Sequence, residues 1–375
     1  MKNSIQALKL YQVIYFIYNC TIYAMKIHLI YNEKRYHKIR PLLRDHEVRL
    51  LRGIADVLQA ALREVRTEET SVVMIDSYGR YAVLGLLARS LFGADFVVRI
   101  RGSMLEESHD RIRNANSSLE RLRLQMGEWL IRRCLRTCDA IAYNSKHVRR
   151  KLRPFVSDQA HEEVVYNPFT EDGHGKATTL NNDLPTAGLC LLTVTNMDFD
   201  AKINPTIRAV TEWMRPEIWE RYDMYWIILG DGRHIGRLRD SVREKGLGAH
   251  ISVQGWVDDP FPYYDWCDVY VHMTELDAFP NVTMEAMSRS CPILTNEDSC
   301  GVREQVIDGK TGYLVGSQDE FQRRLEEYAT LPERRKQHGK EGKRLVESNW
   351  TVESQRKRMN ALLGRFGKPE KSHAS

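Results

Sequence analysis

Short apolar runs alternate with longer amphipathic ones along almost the whole sequence, and no other feature narrows the fold more. In the first half Ile27 to Tyr31, Val72 to Asp76, Phe96 to Ile100, Ala140 to Tyr143 and Val164 to Tyr166 have strand length and composition. Helix-patterned stretches lie between them, near Val48 to Val65, Tyr81 to Phe92, Leu119 to Arg136 and Lys146 to Phe155. Apolar strands joined by helices predict a parallel sheet covered on both faces, because the crossover helices bury both sides. The second half repeats the alternation with strands at Leu189 to Val194, Met224 to Leu229, His250 to Val253, Val269 to His272 and Cys291 to Thr295, has a hairpin-like close at Asp308 to Val315, and finishes with helices at Glu320 to Tyr328, Arg334 to Ser348 and Val352 to Leu363. Between the halves, Thr170 to Ala187 is rich in Gly, Asn, Asp and Thr and lacks periodicity, which marks a linker. A chain of 375 residues is long for one core and comfortable for two. The expected division is an N-terminal extension over 1–24, a first Rossmann-like domain over 25–170, a linker over 171–187, a second Rossmann-like domain over 188–348 and a C-terminal helix over 349–375.

The uncharged run Leu10 to Met25 is shorter than a membrane span requires and is diluted by Gln12, Asn19 and several tyrosines. No cleavage site of small residues follows it. Residues 1–24 therefore read as an extension dispensable to the fold, with an interfacial membrane segment as the alternative. The seven cysteines are scattered without a C-x-x-C pair, which suggests a reducing, cytoplasmic setting. The twelve histidines show no metal-binding spacing, so no metal and no cofactor is expected.

The chemistry converges on Thr274 to Met287, TELDAFPNVTMEAM. A strand, a short loop and a helix beginning near Asn281 set free backbone N–H groups and the positive end of the helix dipole where a phosphate can sit. Asp277 lies before the helix and Glu285 one turn inside it. Carboxylates beside an anion are poor phosphate ligands but good acceptors for sugar hydroxyls. The stretch reads as a pocket for a nucleotide diphosphate with sugars at both ends, against the alternative of an ordinary strand-loop-helix with solvated acids. Gly230-Asp231-Gly232 follows a strand as a tight turn suited to a close ligand, and Asn196 to Lys202 follows another as a loop.

D-A-F-P-N-V-T-M-E-A-M resembles the E-G-F-P-N-V-x-x-E-A-M signature of the retaining nucleotide-sugar glycosyltransferases of family 4. The resemblance implies a GT-B architecture: two Rossmann-like, doubly wound parallel-sheet domains facing a central cleft, with the last helix crossing back to the first domain. It also implies roles. Asp277 contacts the transferred sugar, Glu285 the ribose, and the backbone of Phe279, Asn281 and Val282 the diphosphate. Lys202 stabilises the leaving diphosphate, Asn196 stands roughly where relatives carry a second cation, Gly230 belongs to the family's G-D-G, and the backbone at Val257 packs on the base. Lys202 and Asp277 are the catalytic candidates. The partners implied are a nucleotide sugar as donor substrate and a glycan or lipid-linked acceptor. This sequence departs from the signature at Asp277, where Glu is usual, and at Ala278, where Gly is; Glu275 is a stand-in acid. The loop Asn32 to Arg35 lacks the family's glycines, and in the first half only Asn144-Ser145 and Tyr166-Asn167-Pro168 match. A nucleotide-sugar epimerase and a non-catalytic nucleotide-sugar-binding protein are the competing readings.

Charge is uneven. Between Arg99 and Arg153 fourteen Lys and Arg face six Asp and Glu, a local excess of eight against five for the whole chain. Within this stretch Leu119, Leu122, Met126, Trp129, Leu130 and Ile131 fall largely on one helical side, with Arg121, Arg132, Arg133 and Arg136 around them. The apolar side is expected to pack on the sheet, leaving the arginines as a patch for an anionic membrane surface or acceptor. Nucleic acid is the weakest candidate partner, since no stacking aromatics interleave with the basic residues. Arg99, Arg101 and His109 have the cleft as a natural location and the ordinary surface as the alternative.

Overall fold

The computed structural model describes residues 26–30, 39–51, 56–57, 71–76, 80–102, 104–170 and 184–366. The extension at 1–24, the loop Asn32 to Arg35 and most of the linker lie outside these residues.

The strands among the described residues form two six-stranded sheets, every pairing parallel. The first contains β1 (Lys26–Ile30), β2 (Glu47–Leu51), β3 (Ser71–Ile75), β4 (Asp95–Ile100), β5 (Ala140–Tyr143) and β6 (His161–Val164), in the order β2-β1-β3-β4-β5-β6. The second contains β7 (Leu189–Val194), β8 (Met224–Leu229), β9 (Ile251–Gly255), β10 (Val269–His272), β11 (Ile293–Asn296) and β12 (Gly312–Val315), in the order β12-β11-β10-β7-β8-β9. That order reverses direction between β7 and β10. In open sheets of this kind ligands bind beyond the carboxyl ends of the strands at the reversal.

Burial follows from the topology. Leu191, Trp226, Val269 and Leu294 pack on one face of the second sheet, and Leu192, Ile227, Tyr270 and Ile293 on the other, because successive strand residues point to opposite sides and helices cover both. The C-terminal helix Val352–Leu363 does not join the core of the second sheet. Its Met359, Leu362 and Leu363 are buried with Ile27, Leu29 and Val72 of the first.

Three local expectations are corrected. Val48 to Leu51 is strand, not the start of a helix: Val48 and Leu50 pack against the core beside β1, and pairing with that strand overrides a weak helical pattern. The Asp308 to Val315 stretch turns at Gly309 (φ 68°) but is no hairpin, because β12 is handed on to β11 in parallel. Lys202 stands in the first turn of the helix Asp200–Arg208, not in a loop; its N–H donates to the Phe199 carbonyl at 3.0 Å.

The helix Ser118–Thr137 departs from expectation in a more consequential way. Ile131, Cys134 and Leu135 are buried, but Leu119, Leu122, Met126 and Trp129 are exposed. Ile131, Cys134 and Leu135 turn into the core of the first sheet, and the helix Met104–Arg113 packs alongside, but the side that carries Leu119, Leu122, Met126 and Trp129 faces outward.

Glu304 ties the two halves together. Its carboxylate accepts from the N–H groups of Lys146 (2.9 Å) and His147 (2.5 Å) at the start of the helix Lys146–Leu152, and from the Tyr166 hydroxyl at 3.2 Å. An acid at a helix N-terminus satisfies free N–H groups and the dipole together.

Candidate functional site

A cleft of about 700 Å³ opens at the reversal point between β7 and β10. Asn196, Lys202, Gly230, Val257, Asp277, Phe279, Asn281, Val282 and Glu285, the residues expected to bind the donor or to carry the reaction, line it.

The helix Asn281–Ser288 begins here after Pro280, and no side chain caps it. Thr283, Met284, Ala286 and Met287 are buried beneath it, so Asn281, Val282 and Glu285 turn toward the cleft. Asn281 and Glu285 share a face because they are one turn apart. The loop before the helix is held by its neighbours rather than by its own sequence. Asn296, at the end of β11, accepts from the Thr274 N–H at 2.9 Å and donates to the Thr274 carbonyl at 3.0 Å. The Gly301 N–H donates to the Asp277 carbonyl at 3.0 Å, and Gln305 Nε2 to the Pro280 carbonyl at 3.0 Å. Gly230 (φ 125°) is pressed on the Thr195 carbonyl, where a Cβ would sit 1.8 Å from the oxygen, so this turn admits only glycine.

Asp277 is 9% exposed and is not a free acceptor. Its Oδ1 lies 2.6 Å from Lys202 Nζ; its Oδ2 accepts from the Thr274 hydroxyl and from His272 Nε2, both at 3.1 Å. Burial pushes the Asp277 carboxyl up, but the Lys202 ammonium and the His272 ring outweigh it and hold the group well below the usual carboxylate range. A depressed folded-state pKa contributes stability that is full above the unfolded value and is lost as the pH falls through the folded one. We therefore expect Asp277→Asn to melt below the native chain at pH 7, with the gap narrowing below about pH 4, near the ordinary aspartate value. Thermal melts of both proteins between pH 7 and pH 3 check this; a gap unchanged across that range would remove the charge pairing from the stability of the loop.

Glu285 stands at the other flank. Its Oε2 accepts from the Tyr264 hydroxyl at 3.0 Å, and burial first, then the Tyr270 phenol and the Glu285 charge, push the Tyr264 phenol well above its ordinary value, so it stays a donor. Tyr264 packs on Tyr270 at 5.7 Å between centroids, and Tyr270 stacks on His272 at 5.8 Å. One aromatic column thus underlies both acids. Sequence reasoning missed Tyr264, His272 and Thr274; the signal for His272 was there in the alternation of β10, which places it on one side with Tyr270.

The first half contributes Arg101, Gly102, Glu107, Asn167 and Pro168 to the cleft wall. Arg101 is paired to Asp76 at 3.2 Å, and Arg99 lies buried behind it on the same carboxylate at 2.8 Å. Asn167 Nδ2 donates across the cleft to Asn281 Oδ1 at 3.3 Å. His109 is on the outside, 3.2 Å from Glu128. Glu275 points away from the cleft toward Arg208 at 3.7 Å, so it is not a stand-in for Asp277. Asn196 is exposed and folds back on Asp198, accepting from its N–H at 2.9 Å. Trp256 is exposed at the cleft rim, not in the core. No group of three His, Cys, Asp or Glu among the described residues is arranged to hold a metal.

Two family models match the chain, one on each side of this cleft. Residues 184–345 match the family described as glycosyl transferases group 1, and residues 33–168 match the glycosyl transferase 4-like domain. Among curated proteins the chain is 24% identical over 178 residues to the N-acetylgalactosamine-N,N'-diacetylbacillosaminyl-diphospho-undecaprenol 4-alpha-N-acetylgalactosaminyltransferase of Campylobacter jejuni, covering 47% of this chain and 46% of that one. It is 26% identical over 106 residues to the lipopolysaccharide core biosynthesis glycosyltransferase LpsE of Rhizobium meliloti, covering 28% and 31%. These matches span less than half of either relative. Among solved structures, Anabaena HepE in complex with UDP superposes with a TM-score of 0.67 at 14% identity, over 91% of this chain and all of that one. Sucrose-phosphate synthase from Thermosynechococcus elongatus superposes at 0.69 with 14% identity, over 91% and 98%. The architecture is GT-B: two Rossmann-like domains of parallel sheet that face one cleft.

Proposed function

We propose that this GT-B chain, whose two halves match sugar-transferase family models, moves a glycosyl group from a nucleotide-diphosphate sugar to a hydroxyl of a glycan or lipid-linked acceptor, with retention of anomeric configuration. The observation that carries the reading is the uncapped start of Asn281–Ser288 at the reversal point of the sheet, with Glu285 on one flank and the Lys202–Asp277 pair on the other. In this reading the amides at Phe279 to Val282 receive the diphosphate, Glu285 accepts from the ribose hydroxyls, and the Gly230 turn and the Val257 backbone border the base. Asn196 stands on the rim of the donor pocket. Asp277 keeps lone-pair capacity beyond its three partners and accepts from the transferred sugar. Arg101 and Asn167, on the opposite wall, face the acceptor.

As the bond between the anomeric carbon and the diphosphate oxygen breaks, Lys202 meets the charge that develops on the leaving group. The acceptor oxygen forms its bond to the same carbon, and its proton passes to a leaving phosphate oxygen. No dedicated general base and no metal is required in this scheme. The protein's work is positioning and electrostatic stabilisation. The acceptor class is supported by the Campylobacter relative, whose name gives a diphospho-undecaprenol-linked saccharide as acceptor.

A thermal-shift screen of UDP-, GDP- and other nucleotide sugars, followed by proton NMR of the product with a candidate acceptor, tests the proposal. The expected result is one nucleotide sugar that raises the melting temperature and is consumed only with acceptor, giving the donor's anomeric configuration. Stabilisation without consumption would make the chain a binding protein, consumption without acceptor an epimerase, and an inverted product would overturn the mechanism. Glu285→Gln should weaken donor binding about tenfold in calorimetry, because a neutral amide is a weaker acceptor and the Tyr264 hydroxyl holds it in one orientation. Unchanged donor affinity would remove the ribose role.

A further inference from the structure

The described residues include nine exposed large apolar side chains, and four of them lie on one helix. Leu119 (77% exposed), Leu122 (54%), Met126 (59%) and Trp129 (64%) recur at three- and four-residue spacing along Ser118–Thr137. At roughly 100° per residue they fall within an arc of about 80°, over a length of about 15 Å. The same projection puts Arg133 in the middle of the stripe, Arg136 about 20° beyond one edge and Arg123 about 40° beyond the other, with the buried Ile131 and Leu135 on the far side and the buried Cys134 about 60° past the Leu119 edge. All three arginines are exposed. The helix's two acids are off the stripe: Glu120 accepts from the Asn116 N–H at 2.9 Å, and Glu128 is engaged by Arg132 and His109.

A contiguous apolar stripe on a helix that already has a buried face elsewhere marks an interaction surface. We propose that this outer face docks on an anionic lipid bilayer. A helix with Trp, Leu and Met on one face and arginines beside them, and no acid among them, matches the interfacial region of such a membrane in both polarity and charge. Pairing with a second copy of the chain would bring Arg123, Arg133 and Arg136 against their own counterparts. A protein partner finds no acid on this face to bond to. No described helix is long and apolar enough to cross a membrane, so attachment through this surface is peripheral. The face belongs to a helix packed beside Met104–Arg113, which begins directly after the Arg101-Gly102 wall of the cleft, so docking would bring that wall near the lipid headgroups. Nothing in the cleft is required, so the proposal stands or falls apart from the donor reading.

Flotation of the purified full chain with vesicles tests it. The chain should float with phosphatidylcholine vesicles carrying phosphatidylglycerol at about one part in three, float less as salt is raised, and stay down with phosphatidylcholine alone. Combined Leu122→Gln, Met126→Gln and Trp129→Gln should cut binding at least about tenfold, and so should combined Arg123→Gln, Arg133→Gln and Arg136→Gln, each arginine near an anionic surface being worth about fivefold. Both triple variants should melt with the native chain, since the substituted side chains are exposed, and Leu331→Gln, an exposed apolar residue elsewhere (48% exposed), should bind normally. Native-like flotation of both triple variants, or no flotation of the native chain, overturns the proposal. So does a native dimer that the apolar triple variant converts to monomer, which would assign the face to a second copy.

Discussion

Replacing Lys202 with alanine should lower turnover by on the order of a hundredfold or more, the usual cost of removing one group that meets charge developing in a transition state. The ammonium is fixed 2.6 Å from Asp277 at the start of the helix Asp200–Arg208, and so is aimed into the cleft by the helix and by its counter-charge. The substitution also leaves Asp277 without its cation. His272 and the Thr274 hydroxyl remain on the other oxygen, so the fold should survive with a lowered melting temperature. The two effects separate in the kinetics: loss of transition-state stabilisation lowers kcat, and loss of ground-state donor binding raises KM. Steady-state rates with saturating donor, alongside donor affinity by calorimetry, make the measurement. Turnover within threefold of the native enzyme would take Lys202 out of the reaction.

The second large effect is expected at a residue that carries no chemistry. Gly301 has φ −79° and ψ −17°, a conformation alanine adopts freely, yet a Cβ there would lie 1.5 Å from the Ala278 carbonyl oxygen and 2.2 Å from its carbon. Backbone cannot yield as a side-chain end does. Gly301→Ala must therefore push away the loop that carries Asp277 and opens the helix Asn281–Ser288. Overpacking of this kind costs about 1–3 kcal/mol, and we expect at least a tenfold loss of donor affinity with it. Gly246→Ala is the control. Gly246 has φ 68° with nothing within 4 Å of a Cβ, so alanine there should cost about 1–2 kcal/mol of stability through strain alone and leave donor binding unchanged. Equal effects of the two substitutions on donor affinity would refute the role of the close contact at Gly301.

The parts of the site legible in the sequence were those made by consecutive residues. A strand ending at His272, a loop, and a helix start at Asn281 form one continuous segment, and the one-turn spacing of Asn281 and Glu285 places both on the cleft side. Lys202, Gly230 and Val257 were legible for a related reason: each follows the carboxyl end of a strand, and in a parallel sheet all such ends emerge at one edge. Val48 to Leu51 was read as helix because a five-residue strand in a charged stretch has too few alternations to outweigh helical spacing, and only its neighbour β1 shows its pairing.

What the residue order by itself determined about this protein is the alternation that demands two parallel sheets and the strand-loop-helix at its centre, because both depend on side-chain period and backbone geometry within a few residues. Only the tertiary structure decided the state of those groups. Asp277 is bound by a lysine 75 positions earlier, Glu285 is oriented by Tyr264, and Arg101 shares Asp76 with a buried arginine. The membrane-facing stripe proposed on Ser118–Thr137 has the same origin, since a helical period predicts apolar positions but not which of them the neighbouring elements cover. Partners and burial are set by which strands lie side by side, and the β7–β10 adjacency that brings Lys202 to Asp277 is a property of the strand order, not of either segment alone.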